Sequence, residues 1–155
     1  CALPILETEK RSAFFAGSFN PFTVGHLDIL ERGVALFGHV TVALGVNERK
    51  PESESEERFR ELEKLFAGRG DVDVVRYTGL TAQAALGHGA CCLLRGVRGV
   101  ADFEYERNMA EVNRQLFGID TVLLFADPRL SSVSSSMVRE LEHFGYDTSR
   151  FVIKP

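Results

Sequence analysis

The chain has 155 residues, 45% of them hydrophobic and 26% charged, the balance of one compact globular domain rather than of a disordered or fibrous chain. Its apolar runs, such as 121–126, fall far short of the roughly 20 residues that a bilayer-spanning helix needs. A formal net charge of −4 argues against nucleic-acid binding, which normally shows a basic excess, and leaves room for a small anionic substrate held by a few local cations.

Residues 1–11 read as a leader of unassigned role. They lack the basic, apolar and small-residue regions of a signal peptide, and Cys1 in the place of a Met points to a processed or altered start. Short apolar runs rich in Val, Phe and Leu then recur five times, at 12–16, 39–46, 72–77, 91–94 and 121–126. Each is bounded by Gly, Asp or Asn and predicts a buried strand. Between them lie helical spacings. Leu27, Leu30, Val34 and Phe37 form one stripe of a helix over about 26–37, and Phe59, Leu62, Leu65 and Phe66 form another. A shorter helix is expected over 81–86, a further one marked by Met109, Val112 and Leu116, and a last one by Met137, Val138, Leu141 and Phe144. Strands alternating with helices predict an α/β fold: a Rossmann-like, doubly wound five-stranded parallel sheet with helices on both faces. The acidic segment 52–57 reads as a solvated loop leading into a helix N-terminus. Cys91 and Cys92 are expected to point to opposite faces of a strand and only to fill space. With Cys1 they make an odd, low count that fits no disulfide framework and a reducing cytoplasm.

In an open parallel sheet, ligands bind beyond the carboxyl ends of the strands where strand order reverses. The unusual residues fall at those ends. The first strand exits into Gly17-Ser18-Phe19-Asn20-Pro21-Phe22-Thr23-Val24-Gly25-His26, the second into Asn47-Glu48-Arg49-Lys50, and the third into Gly79-Leu80-Thr81. The fourth exits into Arg95-Gly96-Val97-Arg98-Gly99, and the fifth into Asp127-Pro128-Arg129 and the cluster Ser131, Ser132, Ser134, Ser135 and Ser136. Glycines, cations and hydroxyls on one rim suit a phosphate-rich ligand. Gly17 is expected to let backbone approach that ligand. Gly25-His26 opens a helix whose first-turn amides are unpaired and whose dipole favours anions. His26 is therefore singled out as a phosphate donor, whereas His39, His88 and His143 read as structural. The loop is neither a P-loop nor a dinucleotide G-x-G-x-x-G.

The segment 17–26 closely resembles the G-T-F-D-P-x-T-x-G-H signature of the bacterial phosphopantetheine adenylyltransferase family, of the nucleotidyltransferase superfamily. Arg95-Gly96-Val97-Arg98 with Asp102-Phe103-Glu104-Tyr105-Glu106 resembles that family's R-G-[LIV]-R and D-F-x-Y-E blocks, and Val133–Arg139 its I-S-S-[ST]-x-[VL]-[RK] block. The blocks cover residues 12–155 in order, and the D-F-x-Y-E block separates this family from its cytidylyl- and nicotinate-nucleotide-transferring relatives. The sequence departs from the pattern at Ala16 (usually Pro), Ser18 (Thr) and Asn20 (Asp), and in the acidic stretch 51–55, which lacks an apolar pair.

The resemblance implies a single nucleotidyltransferase domain over 1–155. Its reaction would transfer AMP from ATP to the 4′-phosphate of phosphopantetheine by direct in-line displacement, giving dephospho-coenzyme A and pyrophosphate in coenzyme A biosynthesis. Another nucleotidyltransferase with a different phosphorylated acceptor, or a non-catalytic nucleotide- or CoA-binding module, is the alternative. It implies His26, Lys50 and Arg98 as catalytic residues. Ser18, Phe19, His26, Gly96, Val97, Arg98, Glu106, Leu130, Ser131, Ser132, Val133, Ser134, Ser135 and Ser136 would bind ATP. Ser18, Lys50 (with Arg49 as the substitute), Thr81 and Arg95 would bind the acceptor, with Leu80 adding backbone contact. For Phe103 and Tyr105, helix packing or a subunit contact is expected ahead of ligand stacking. Mg²⁺ is expected with ATP and without a dedicated carboxylate cage. Coenzyme A as an inhibitor, a homohexamer and a cytoplasmic location complete the expectation, with no nucleic-acid or membrane partner.

Overall fold

The computed structural model describes residues 11–155, so the proposed leader lies outside the described residues except for Arg11. Five strands, β1 (Ser12–Gly17), β2 (His39–Gly45), β3 (Val72–Tyr77), β4 (Cys92–Val97) and β5 (Asp120–Phe125), pair in parallel in the order β3-β2-β1-β4-β5. The helices α1 (Val24–Phe37), α2 (Glu52–Leu65), α3 (Thr81–Gly87) and α4 (Val100–Phe117) connect them, and α5 (Ser135–His143) follows β5 after a 3₁₀ turn at Pro128–Leu130. This is the doubly wound arrangement that the alternation predicts.

β1 lies at the centre, and successive side chains of a strand point to opposite faces. Ala13 and Phe15 pack with Ile29 and Leu30 of α1, Leu62 of α2 and Phe66 just beyond it. Phe14 and Ala16 pack with Ala82 and Ala85 of α3 and with Phe117 of α4. α1 approaches the sheet at Gly33, where a Cβ would lie 2.5 Å from Cδ2 of Leu94. His39 ties together the amino ends of three strands, far along the sheet from the carboxyl rim: its ring nitrogens meet Ser12 Oγ at 2.7 Å and Asp73 Oδ2 at 3.0 Å. His88 and His143 are exposed.

Two expectations are corrected. Arg95, Gly96 and Val97 belong to β4 and not to the loop after it, because they continue its ladder against Leu123, Leu124 and Phe125 of β5. A charged residue in the strand hid this continuation. The acidic segment is the start of α2 rather than a loop: Glu52 and Glu54 stand in its first turn, where carboxylates suit the dipole, and Ser55 Oγ donates to the Glu52 carbonyl at 2.9 Å. Met109, Val112 and Leu116 lie in α4, the helix that their spacing predicts. They are exposed, while Glu106, Ala110, Asn113 and Phe117 form the less exposed side of α4. Cys91 lies just before β4 and is exposed, Cys92 is buried, and both are free thiols.

Leu94→Ala is expected to lose about 2–5 kcal/mol of unfolding free energy through the cavity it opens. Adding Gly33→Ala in that background places a methyl in the vacated space and a better helix former in α1, so chemical denaturation should show part of the loss recovered. A further loss on adding Gly33→Ala would contradict the close approach described.

Candidate active site

β1 pairs with β4 over only three residues, Ala13–Phe15 against Cys92–Leu94, whereas it pairs with β2 over the whole of Ser12–Gly17. Beyond that point the two central strands part, at the place where strand order reverses. A cavity of about 410 Å³ opens there, walled by the carboxyl ends of β1 and β4 and by the starts of α1 and α5.

The loop from β1 to α1 folds on its own aromatic side chains. Phe19 has a positive φ of 43°, uncommon for a side-chain-bearing residue, and is almost fully buried. Its ring fills the space that Gly17 leaves open: a Cβ at Gly17 would lie 3.1 Å from Phe19 Cε1. Gly17 thus leaves room for the Phe19 ring, and it also lines the cavity. The Phe19 ring stands edge-on to His26, with ring centres 5.1 Å apart, and Phe22 and Phe15 complete an apolar shelter around the imidazole.

Thr23 caps α1 and His26 closes a capping box with it. The Thr23 backbone N–H donates to His26 Nδ1 at 2.9 Å, and the His26 backbone N–H donates to Thr23 Oγ1 at 3.3 Å. Since Nδ1 accepts that bond, the neutral ring carries its proton on Nε2. Burial, then the charges of Arg95 and Arg98, push the His26 pKa down to about 4. At neutral pH the residue is therefore an uncharged N–H donor.

Most first-turn amides of α1 are not free, contrary to expectation. Val24 N–H donates to the Phe151 carbonyl at 2.9 Å, and the Thr23 N–H is already held by His26 Nδ1. With His26 N–H held by Thr23, Gly25 offers the remaining amide of that turn, and Gly25 lines the cavity. The C-terminal segment fixes this loop further through an antiparallel bridge of Thr23 with Val152 and an Ile153-to-Phe22 bond of 3.0 Å. Opposite, Ser134 caps α5 by accepting from the Met137 N–H at 3.1 Å, and Ser135 Oγ donates to the Pro21 carbonyl at 2.8 Å.

Three guanidiniums and two carboxylates face the cavity. Arg95 is held by Glu106 across contacts of 2.7–3.1 Å and donates from Nη1 to the Ala16 carbonyl at 2.6 Å. Burial acts to lower the Arg95 pKa, but the Glu106 hydrogen bonds and charge outweigh it and leave the pKa above its ordinary value. Arg98 meets Asp102 at 3.2 Å. Arg139 donates to the Asn20 carbonyl at 2.6 Å and to Ser136 Oγ at 3.2 Å. Arg139 received no role from the sequence, although it ends the 133–139 block. Its position three residues after Ser136 on a helix is the signal that places both on one side of α5.

Of the residues proposed from sequence, Ser18, Phe19, His26, Arg95, Gly96, Arg98, Glu106, Leu130, Val133, Ser134, Ser135 and Ser136 line this cavity. Tyr105 lines it as well, and it is exposed rather than packed under its helix. Val97 is buried in the sheet, and Ser131 closes its own turn by donating to the Pro128 carbonyl at 3.0 Å. Ser132 is exposed and outside the lining. Lys50 lies in a second cavity of about 510 Å³ with Glu48, Glu52, Arg76 and Tyr77. Thr81 meets the Tyr77 hydroxyl at 2.8 Å at the start of α3. Among the described residues no three His, Cys, Asp or Glu side chains converge as a metal site. The two carboxylates facing the cavity are already on arginines.

A crevice at the switch point of a parallel sheet, carrying a helix-start imidazole and several guanidiniums, defines a nucleotide-handling α/β protein. The cytidylyltransferase-like family model matches residues 14–141. In structure the chain is similar to a putative nicotinate-nucleotide adenylyltransferase from Vibrio parahaemolyticus, with a TM-score of 0.64 over 95% of this chain and 88% of that one, at 15% identity; this likeness shows the fold. In sequence it is 50% identical over 145 residues, 93% of this chain and 95% of the relative, to a phosphopantetheine adenylyltransferase from Porphyromonas gingivalis. A phosphopantetheine adenylyltransferase from Phocaeicola vulgatus is 43% identical over 143 residues, covering 92% and 95% of the two chains. The chain belongs to the phosphopantetheine adenylyltransferase family of cytidylyltransferase-like proteins.

Proposed function

We propose that the protein transfers AMP from ATP to the 4′-phosphate of phosphopantetheine, releasing pyrophosphate and forming dephospho-coenzyme A. The observation that carries this reading is that His26, at the start of α1, and Arg95, on β4, face one cavity where β1 and β4 part. The family relationship supplies the substrates. The acceptor is already a phosphate anion, so neither a general base nor a covalent enzyme intermediate is required. The protein's task is to bring two polyanions together and stabilise charge developing on the transferred phosphorus.

His26 suits that task as a neutral donor. Its Nε2–H and the Gly25 amide would meet the α- and β-phosphoryl oxygens as charge builds there, with no competing proton loss from the ring. Arg98, Arg139 and the hydroxyls and amides of Ser134, Ser135 and Ser136 would hold the rest of the triphosphate at the start of α5. Gly96, Leu130 and Val133, which line the cavity, would bound the adenosine. Ser18 would lie between the substrates. Arg95 would receive the acceptor phosphate as a planar fork, while Lys50 would reach it from the second cavity and Thr81 would border the acceptor's arm. Mg²⁺ would arrive with ATP and offset part of the triphosphate charge; among the described residues no carboxylates converge to hold it.

A homohexamer in the cytoplasm and inhibition by coenzyme A belong to the same proposal. Tyr105, Met109, Val112 and Leu116, exposed at helical spacing along α4, support a contact between copies. Sedimentation of the purified protein is expected to give six copies per particle, and a monomer at assay concentrations would contradict it.

Incubation with ATP, Mg²⁺ and a panel of phosphorylated acceptors is expected to release pyrophosphate with phosphopantetheine. His26→Ala should lower turnover about 10²–10³-fold while ATP affinity changes less than about tenfold. Release with a different acceptor alone, or unchanged turnover in the variant, would contradict the reading.

A further inference from the structure

Thr23 is 1% exposed, and the peptide units on both sides of it are held by residues far along the chain. The Phe22 carbonyl accepts from the Ile153 N–H at 3.0 Å, and the Val24 N–H donates to the Phe151 carbonyl at 2.9 Å. Between these bonds Thr23 and Val152 face each other as an antiparallel bridge, of the non-hydrogen-bonded kind in which side chains lie close. The Ile153 side chain packs against the apolar cluster that includes Phe15, Phe19 and Leu62, so the segment supplying these contacts is itself anchored.

The Phe22 carbonyl and the Thr23 N–H belong to one peptide unit. That unit is planar, and in the trans form its C=O and N–H point in opposite directions. By fixing the oxygen, Ile153 therefore also sets the direction of the N–H, which donates to His26 Nδ1 at 2.9 Å. Two hydrogen bonds thus run from Ile153 through one rigid plane to the imidazole, and bonds in such a chain polarise one another. A ring nitrogen that accepts from a fixed donor leaves the proton of the neutral ring on the other nitrogen. That nitrogen is Nε2, which the proposed reaction uses as its phosphoryl donor.

We infer that Ile153 is a positioning residue for His26: its backbone N–H holds the Phe22–Thr23 peptide plane, so that Nδ1 stays an acceptor and Nε2–H stays the donor. The inference rests on the reaction proposed above for its effect on rate, but not for the state of the ring. Because the device is a main-chain bond, the side chain at 153 acts only through packing, and substitutions there divide into two kinds. Those that keep the N–H leave the imidazole held. Proline, which has no N–H, releases the plane.

NMR titration of the His26 ring and steady-state kinetics, applied to Ile153→Pro and Ile153→Ala, separate the bond from the packing. In Ile153→Pro the ring is expected to take up its second proton at a pH about half to one unit higher than in the native protein, since a weaker donor to Nδ1 favours the imidazolium. Turnover is expected to fall about tenfold, with the KM values for ATP and phosphopantetheine within about threefold of native. Arg95, Arg98, Arg139, Asp102, Tyr105 and Glu106 are the titratable and charged groups that share the cavity with the ring, and neither substitution alters them. Ile153→Ala keeps the N–H and is expected to lower the thermal midpoint while the ring titrates as in the native protein. Native titration and turnover in Ile153→Pro would overturn the inference, as would an Ile153→Ala ring that shifts as far as the proline variant's. Should Ile153→Pro give no cooperative thermal transition, a chain ending at Val152, which lacks the same N–H, is read by the same criteria. The ring measurement needs no substrate. A native protein that releases no pyrophosphate with phosphopantetheine contradicts the proposed reaction, and the titration alone then decides the positioning.

Discussion

The Thr23 amide donates to Nδ1 of His26, and the chemistry of the cavity turns on where that bond leaves the proton of the ring. It forces the neutral imidazole to carry hydrogen on Nε2. The same capping box occupies the His26 amide, and the C-terminal segment takes that of Val24, so the helix start that would bind any anion diffusely is reduced to the Gly25 amide and one ring N–H. Selectivity for a particular phosphoryl geometry follows from having few donors in fixed places rather than many in approximate ones.

Around this bond the surroundings agree. Phe15, Phe19 and Phe22 keep water from the ring, and Arg95 and Arg98 disfavour a positive charge on it. Both effects act in one direction, since burial and like charge each penalise an imidazolium. The cations themselves are held in turn by Glu106 and Asp102. Positive charge in the cavity is therefore present but tethered, and the imidazole is left to polarise without adding to it. The sheet makes this possible by parting β1 from β4 after three paired residues.

The architecture was legible because five apolar runs are short, bounded by turn formers and separated by helical spacings. His26 was legible because it stands at a helix start just past the end of the first strand. The failures share a physical cause, which is that polar residues were read as loop or ligand contacts when they serve the fold. Arg95 reads as a loop cation, yet it extends β4 and is anchored to Glu106. The glutamates at 52 and 54 read as loop, yet they favour the helix dipole of α2. Gly17 lines the cavity, and the Phe19 ring also occupies the space its missing side chain leaves, a packing that no one-dimensional pattern reveals. The helix α4 was legible from Met109, Val112 and Leu116, but the side it buries was not, because that side contains the carboxylate of Glu106. Lys50 and Arg139 depended on long-range geometry, the first lying in a separate cavity and the second reaching Asn20 across the site.

The state of the His26 ring is the claim on which the rest stands, and nitrogen-detected NMR of the imidazoles reports it directly. From pH 8 down to pH 5 the His26 ring is expected to stay neutral with its proton on Nε2, taking up a second proton only as the pH falls toward about 4. A ring protonated on Nδ1 at neutral pH, or one that becomes charged at or above its ordinary value near 6.5, would contradict the account.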